Sequence, residues 1–458
     1  MNYALRGLLA EVAVLGLATS LSAQKAPADL LPPEPAPVIK SDVMPDESVV
    51  VSEPVVQETA PVVQQTWPAV QKWSIADANE LAAVIEGISA EGLDPNEYGL
   101  DGLRLALAGG PGDALNQAAS ASFSWLAEDL RDGRTPMSAR RQWFVVDPDA
   151  DRMPTAQIMA TALTSGDIAG VLAQLNPTHP DYARLKEELA KTPKSDAAKR
   201  KLLRANMDRW RWLARDLGNQ YLMTNVPEFQ LRLTVNDKIV RTYKTIVGKP
   251  GRTATPQLAE TVEGVIFNPT WTVPQSIVKG EGLGARVLGN PAYAKAKGYK
   301  ATRGANGYIT VVQQPGPGNS LGLMKLDMPN EHAIFLHDTP SRGLFNSEMR
   351  ALSHGCVRTE RASELALTLA ILQAGIEAEE GVAILKSGKY TRVGFKQTMP
   401  VYITYFTMGV DIDGNLRRFN DIYGRDAPVL ESFDKPRQFN RARYSDEEVI
   451  VIEDDMRT

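Results

Sequence analysis

The sequence predicts an α+β fold in which a helical domain is followed by a mainly β domain with a few packed helices. Three observations carry this prediction. Apolar residues recur at helical spacing between Trp73 and Leu217. After Val226-Pro227 the repeat falls to two residues, as in strands with one buried face. A length of 458 residues is sufficient for two or three domains.

Residues 1–23 are predicted to be an export signal. Arg6 supplies positive charge, an apolar run follows at 12–18, and small residues at 20–23 offer a cleavage site. Glu11 interrupts the apolar stretch, and the run is short for a transmembrane helix. Cleaved export is the preferred interpretation, and an uncleaved anchor or an apolar helix of a cytosolic protein are the alternatives.

Two further segments have too few apolar residues for a core of their own. Residues 24–66 are rich in Pro, Val, Glu and Gln, which predicts a disordered linker. This linker would be either a tether or a plain spacer. Residues 431–458 are predicted to be a flexible charged tail.

Residues 67–195 are predicted to form the helical domain. Its strongest apolar stripe ends near Asp132-Gly133, and a second stripe follows the domain. The stripes consist of Leu115, Ala119, Phe123, Leu126 and Leu130, and of Leu203, Met207, Trp210, Leu213 and Leu217. Such stripes are typical of core-facing helices rather than of ligand sites.

Residues 196–430 are predicted to form the mainly β domain. Apolar residues alternate with polar ones at 229–235, and Asn236-Asp237 then turns the chain into a second strand. Further strands are predicted at 262–267, 309–314, 323–326, 333–337 and 401–406, with one helix that ends at Gly375. The segment from Asp411 resembles the start of a calcium loop, but its twelfth position is Ile422, so a hairpin turn is predicted.

Charge and cysteine content limit the function. The net charge of −5 argues against a nucleic-acid partner held by a basic field. A single cysteine cannot form an intrachain disulfide. That cysteine, Cys356, shares a short segment with two of the four histidines. An imidazole near a thiol favours the reactive thiolate, so the pattern predicts a nucleophile and its base. The alternative is a buried structural cysteine.

The chain resembles a known family at this segment. Leu336-His337-Asp338-Thr339 and Ser353-His354-Gly355-Cys356-Val357-Arg358 are similar to the active-site signature of the L,D-transpeptidases with a YkuD-type catalytic domain. His337 precedes Cys356 by 356 − 337 = 19 positions, which fits the signature. Segments similar to the large periplasmic YcbB-like members occur at 267–274, 314–322 and 421–426, and weaker ones at 92–95 and 132–134. The resemblance covers about residues 70–428.

The resemblance implies a helical scaffold domain followed by a YkuD-like β-sandwich catalytic domain. It implies that Cys356 is the nucleophile and His337 its base, oriented by a backbone carbonyl. The N–H groups of Gly355 and Cys356 are the candidate oxyanion donors. His354 is expected to have a hydrogen-bonding or positioning role rather than to act as the base. Ser353 and Arg358 are expected to brace the loop, and binding of a substrate carboxylate is the alternative for Arg358.

Two aromatic residues are candidates for substrate binding. Trp271 would form a wall of the cleft, with core packing as the alternative. Phe335 stands where many family members have Tyr, so no phenolic hydrogen bond is available there. Residues 275–307 occupy the position of the family's lid but are fewer, which predicts an open pocket or an ordinary surface loop. Only residues 192–196 separate the last helix of the scaffold from the Trp-rich helix, so the family's peptidoglycan-binding module is expected to be absent.

The function implied by the resemblance is peptidoglycan L,D-transpeptidation in the periplasm. Cys356 would form a thioester with a donor stem, release D-alanine and give a 3→3 diaminopimelate cross-link. Carbapenems would acylate Cys356, and no metal or organic cofactor would be needed. The partners would be peptidoglycan stem peptides and other cell-wall synthesis proteins, with no nucleic acid, and a membrane only if the signal is uncleaved.

Three alternatives remain open from the sequence. An L,D-carboxypeptidase would use the same thioester but resolve it with water. A zinc hydrolase would use His337, His354 and Cys356 as ligands, although their spacing matches no common zinc pattern. A non-catalytic cell-wall-binding scaffold would rely on the helical domain alone.

Overall fold

The computed structural model describes residues 70–146, 148–439 and 441–449. The predicted export signal at 1–23, the predicted linker at 24–66 and the end of the tail lie outside these residues. None of the helices in the described part of the chain combines the length and the apolar character that a membrane-spanning segment requires.

The helical region comes first. Its helices are α1 (Ile75–Gly87), α2 (Leu100–Gly109), α3 (Asp113–Asp132), α4 (Asp149–Arg152), α5 (Thr155–Ser165), α6 (Ile168–Ala173), α7 (Pro180–Lys191) and α8 (Ala197–Trp210). The stripe predicted at 115–130 lies on α3, and all five of its residues are buried in the core of this region. Helix α8 ends at Trp210, before Leu213 and Leu217. Helices α7 and α8 are joined directly through residues 192–196, as predicted.

The segment Asp132-Gly133-Arg134, which follows α3, packs against α8 and the residues after it. Asp208 on α8 accepts hydrogen bonds from the amide of Arg134 at 2.6 Å and from the indole of Trp212 at 3.1 Å. Gly133 has φ +84°, and a Cβ there would lie 2.6 Å from Trp212. Only glycine tolerates both that backbone conformation and that approach.

The second region is mainly β. Its strands are β1 (Gln220–Asn225), β2 (Gln230–Val235), β3 (Lys238–Gly248), β4 (Leu258–Phe267), β5 (Trp271–Thr272), β6 (Tyr299–Arg303), β7 (Ile309–Gln313), β8 (Met324–Asp327), β9 (Leu336–His337), β10 (Ala351–Ser353), β11 (Val357–Thr359), β12 (Thr391–Thr404), β13 (Met408–Val410) and β14 (Leu416–Arg418). The helices are α9 (Gln275–Gly280), α10 (Leu283–Gly289), α11 (Pro291–Lys297), α12 (Ala362–Leu369), α13 (Ala378–Lys386) and α14 (Asp426–Ser432). The α+β class and the order of the two regions are confirmed.

One sheet forms most of this region. Its strand order is β10-β3-β11-β9-β8-β4-β12-β1-β2, and β2 also pairs with β3, so eight strands form a closed ring. The predicted turn at Asn236-Asp237 joins β2 to β3, and both residues have positive φ, as a two-residue hairpin requires. Helix α12 continues through a π-helical turn at Ala370–Ala374 and ends at Gly375, as predicted. Helix α12 packs its apolar side on the interior of the sheet.

The segment predicted as a lid-like loop is folded. Helices α9, α10 and α11 lie against the small sheet β5-β7-β6. They share a core of their own, which consists of Trp271, Val273, Ile277, Val278, Leu283, Val287, Tyr299, Val311 and Leu321. The helices are only six or seven residues long, so none shows a repeated helical period in the sequence.

The tail predicted to be flexible differs from that expectation in its described part. Helix α14 extends to Ser432. Beyond it, the Arg437 guanidinium is 5% exposed and donates to both carboxylate oxygens of Asp129, at 3.0 and 3.1 Å. Arg441 donates to the same carboxylate at 2.6 Å. Charge pairing with α3 orders this segment where apolar residues are lacking.

Candidate active site

Strand pairing brings the two halves of the cysteine motif together. Strands β9 and β11 are parallel neighbours, with Leu336 opposite Val357 and His337 opposite Arg358. Leu336 and Val357 are fully buried in the core. Because side chains alternate along a strand, His337 and Arg358 share the opposite face of the sheet. Cys356 directly precedes β11, and continued alternation would place its side chain on this same face.

His337 is oriented by a backbone carbonyl. The side chain is 0% exposed, and its Nδ1 lies 2.5 Å from the carbonyl oxygen of Asp338. A carbonyl only accepts hydrogen bonds, so Nδ1 carries the proton and Nε2 is the basic nitrogen. The carboxylate of Asp338 points elsewhere and accepts from the amide of Leu323 at 2.9 Å. This arrangement agrees with the orientation expected from the family resemblance.

The thiol of Cys356 is buried beside a strained turn. Cys356 is 3% exposed, and its Sγ lies 3.6 Å from the carbonyl oxygen of Ala333. Ala333 has φ +52°, a conformation that non-glycine residues rarely adopt. Asn330 holds this turn through hydrogen bonds with the carbonyl and amide of Ile334, at 2.7 and 3.1 Å. Strained backbone held by its neighbours is frequent at functional sites.

Ser353 and Gly355 shape the loop around the nucleophile. Gly355 has φ +127°, which favours glycine. The fully buried Ser353 donates through Oγ to the carbonyl of Cys356 at 2.6 Å and accepts from the amide of Gly355 at 3.1 Å. The bracing expected of Ser353 therefore has a geometric basis. The Gly355 amide is used inside the loop, so in this conformation it does not act as the oxyanion donor that the sequence predicts.

A second support for the loop was not predicted. Thr255 is 0% exposed, and its hydroxyl donates to the carbonyl of Gly355 at 2.7 Å and accepts from the amide of Gly248 at 2.9 Å. Its amide donates to the hydroxyl of Tyr423 at 3.2 Å, and that hydroxyl donates to the Gly248 carbonyl at 2.6 Å. Burial raises the pKa of Tyr423, so the hydroxyl keeps its proton.

This support extends to the helical region through the segment 421–426. Arg425 donates to the carbonyl of Thr255 at 3.2 Å, and its guanidinium lies over the rings of Tyr405 and Tyr423. Burial lowers the pKa of Arg425 to about 10. Asp426 pairs with Arg209 of α8 at 2.7 Å. The family-like segment 421–426 was the signal in the sequence that could have indicated this connection.

Arg358 is a buried cation with unused donors. It is 4% exposed, and among the described residues its Nε and Nη1 have no hydrogen-bond partner. It lies beside His337 on the same face. A buried guanidinium with free donors favours the carboxylate-binding alternative over a purely bracing role.

The other predicted residues lie in different surroundings. Phe335 is half-buried next to the strand pair, and its carbonyl accepts from the amide of Val357 at 2.9 Å. His354 is half-buried in the nucleophile loop. Trp271 is 6% exposed and belongs to the core of the folded lid segment, so core packing accounts for its position. In the described residues, His, Cys, Asp and Glu side chains form no group of three or more that could hold a metal ion.

Comparison with known families agrees with this architecture. Residues 219–403 match the L,D-transpeptidase catalytic domain, YkuD, and residues 66–189 match a family named the Scaffold domain. The chain is also 30% identical over 223 residues to a Haemophilus influenzae protein named "Putative L,D-transpeptidase". That match covers 45% of this chain and 45% of the Haemophilus protein, so the chain spans about half the length of this curated relative.

Three solved structures are similar to part of this chain, all with low TM-scores. The Ldtfm–avibactam carbamoyl enzyme is 12% identical, with a TM-score of 0.21 over 41% of this chain and 49% of that one. An L,D-transpeptidase from Mycobacterium smegmatis is 13% identical, with a TM-score of 0.19 over 41% and 58%. L,D-transpeptidase 1 of Mycobacterium tuberculosis is 12% identical, with a TM-score of 0.17 over 41% and 61%.

The structure and the two family matches describe the same two-part organisation, a helical region followed by a mainly β region. Residues 219–403 are similar to the catalytic domain of the L,D-transpeptidases, and residues 66–189, which precede them, are similar to the Scaffold domain.

Proposed function

We propose that this protein is a peptidoglycan L,D-transpeptidase that forms 3→3 cross-links through a thioester on Cys356. The observation that carries the proposal is the pairing of β9 with β11, because it brings His337 and the single cysteine of the chain to one face of the sheet. The substrate class comes from the family that residues 219–403 match.

The first half-reaction would be acylation of Cys356. Nε2 of His337 takes the thiol proton, and the thiolate attacks the carbonyl of diaminopimelate in a donor tetrapeptide. The bond to the terminal D-alanine breaks, and His337 returns the proton to the leaving amine. The Asp338 carbonyl supports this role, because it holds the imidazole in the required tautomer through both steps.

The second half-reaction would transfer the acyl group. The side-chain amine of diaminopimelate in another stem attacks the thioester, and His337 removes the proton that the amine loses. The new amide is the 3→3 cross-link, and the thiol is restored. No metal or organic cofactor takes part in this scheme.

Arg358 is the candidate receptor for a carboxylate of the donor stem. Its unused donors lie next to His337, where a stem carboxylate beside the reacting carbonyl would reach them. Trp271 is not included in the proposed substrate site, since it is part of a separate core.

The cell wall is the proposed place of action. Peptidoglycan stems lie outside the cytoplasmic membrane, so the export signal predicted at 1–23 fits this substrate. Other cell-wall synthesis proteins are the proposed partners, and carbapenems the proposed covalent inhibitors of Cys356.

The test is incubation of the purified protein with a disaccharide-tetrapeptide, followed by mass spectrometry of the products. A dimer that has lost one D-alanine, present with the native protein and absent with Cys356→Ala, is the expected result. Tripeptide without dimer would instead identify an L,D-carboxypeptidase. Unchanged substrate, together with a thiol that does not react with carbapenem, would favour a non-catalytic wall-binding scaffold. Products that persist with Cys356→Ala would overturn the assignment of the nucleophile.

A further inference from the structure

A lysine lies on the same face as the proposed nucleophile and base. Lys325 of β8 is the direct cross-strand partner of His337 on β9, and His337 is in turn the partner of Arg358 on β11. Directly opposed residues on paired strands share a face. The neighbours Leu326, Leu336 and Val357 fill the core on the other face. Three adjacent strands thus present a row of lysine, histidine and arginine.

The side chain of Lys325 extends toward Cys356. Its Nζ lies 3.4 Å from the centre of the Phe335 ring, so the ammonium is seated on that ring. Phe335 is one residue before the Leu336–Val357 pair and is therefore next to Cys356 in the parallel register. The ammonium on the Phe335 ring is close enough to Cys356 for the charges of the two groups to interact.

The pKa of Lys325 depends on the charge of the Cys356 side chain. Burial lowers the pKa of Lys325, whereas the charges of the Cys356 thiolate and of Asp327 act in the opposite direction. Asp327 is paired with Arg392 at 2.5 Å, so its carboxylate is shared between two cations. The charge of the Cys356 thiolate is therefore the main effect that opposes the lowering of the Lys325 pKa by burial.

The other polar groups placed near the thiol are alternatives to Lys325 for stabilising the negative charge of the thiolate. Among the described residues, the charged or titratable groups placed near Cys356 by its own loop and by strand pairing include His354, His337, Arg358 and Lys325. The histidines are cations only when protonated, and Arg358 is placed toward His337. Lys325 is the ammonium in this group.

We propose that Lys325 stabilises the thiolate that Cys356 becomes when Nε2 of His337 takes its proton. This inference rests on the proposed function insofar as Cys356 is the nucleophile. An opposite charge a few ångströms away lowers the pKa of a thiol by about one unit or more. The thiol proton stays on Nε2 of His337, which returns it to the leaving amine as in the first half-reaction.

The experiment is a titration of the thiol in the purified protein without substrate. Cys356 is the only cysteine in the sequence, so thiolate absorbance and the rate of iodoacetamide alkylation report on this residue alone. The variants are Lys325→Met and Lys325→Arg. Lys396→Met is the matched control, since Lys396 is an exposed lysine on β12 of the same sheet.

We expect Lys325→Met to raise the thiol pKa by about one unit and to slow alkylation at pH 7 about tenfold. Lys325→Arg and Lys396→Met should titrate like the native protein. Lys325→Gln replaces Lys325→Met if the latter does not fold, as judged by circular dichroism.

An unchanged thiol pKa in the neutral variant would overturn the proposal. An unchanged pKa with a raised KM for the donor would also overturn it and make Lys325 a substrate contact. Neither result bears on the products formed from tetrapeptide, which test the function separately.

Discussion

The hydroxyl of Thr255 donates to the carbonyl of Gly355 at 2.7 Å, across 100 positions of sequence. Gly355 is the residue before the nucleophile, and its backbone conformation fixes where Sγ points. Thr255 is itself held by Gly248 and Tyr423. The position of the thiol therefore depends on a buried polar network as well as on its own loop.

Replacing Thr255 by valine should impair catalysis more than folding. The change keeps the shape but leaves the Gly355 carbonyl and the Gly248 amide without their partner, which costs about 1–3 kcal/mol. We expect kcat to fall about tenfold with little change in KM. Thr253→Val is the control, because Thr253 bonds only to the nearby Lys249 carbonyl at the surface. Equal kcat for the two variants would contradict a positioning role for Thr255.

Gly355→Ala should both destabilise the protein and reduce acylation. At φ +127° an alanine is strained by about 1–3 kcal/mol. Relief of that strain would rotate the peptide bond that precedes Cys356. Urea denaturation and the rate of carbapenem acylation measure the two effects. Gly343→Ala is the matched comparison, since a Cβ there meets nothing within 4 Å. Similar acylation rates in both variants would contradict the need for glycine at 355.

Asp338→Asn should retain activity within about threefold. The backbone carbonyl of Asp338, not its carboxylate, orients His337. A carboxylate that orients a catalytic histidine behaves differently, because its replacement by the amide costs about 10⁴ in kcat. An asparagine oxygen can still accept from the amide of Leu323, as the aspartate does at 2.9 Å. A loss of several hundredfold in kcat would mean that the side chain orients the base after all.

His179 and Asp181 should give opposite contributions to stability in acid. Burial, with a smaller effect of Arg232, lowers the pKa of His179 to about 4. Burial also raises the pKa of Asp181 to about 6, against the effect of Arg232. As pH falls from 6.5 toward 4, the unfolded chain protonates His179 first, so that contribution to stability is lost. Asp181 is protonated first in the folded chain, so its contribution increases over the same interval.

The two variants His179→Gln and Asp181→Asn separate these contributions. Relative to the native protein, His179→Gln should gain stability as the pH is lowered from 7 to about 4.5, whereas Asp181→Asn should lose it. Urea midpoints at several pH values measure the slopes, which are independent of the constant cost of each substitution. Parallel curves for the native protein and both variants would contradict the assigned pKa directions.

Local patterns in the sequence predicted the parts of the fold that are formed locally. The apolar repeat on α3 and the turn at Asn236-Asp237 each depend on residues within a few positions, and both were predicted correctly. Helices α9 to α11 were missed because six or seven residues give less than two turns of periodicity. The ordered part of the tail was missed because its partner, Asp129, is on α3.

The motif predicted the chemistry of the site but not its supports. Ser353 and Cys356 lie in one short segment of the signature, and His337 precedes that segment at the spacing of the signature. Lys325 comes 31 positions before Cys356 (356 − 325 = 31), and only the register of three strands brings it to the same face. Thr255 has no sequence pattern around it that marks a site. Residues that act through strand register or through buried hydrogen bonds need the fold to be recognised.

The pairing of Arg437 with Asp129 has a consequence for the order in which the protein can fold. The two residues are 308 positions apart, and the Asp129 carboxylate is 0% exposed. Helix α3 cannot bury that charge at low cost until Arg437 is available. During synthesis, the helical region would therefore remain incompletely assembled while the whole β region emerges. Its final packing and the completion of the catalytic region are then a single late event.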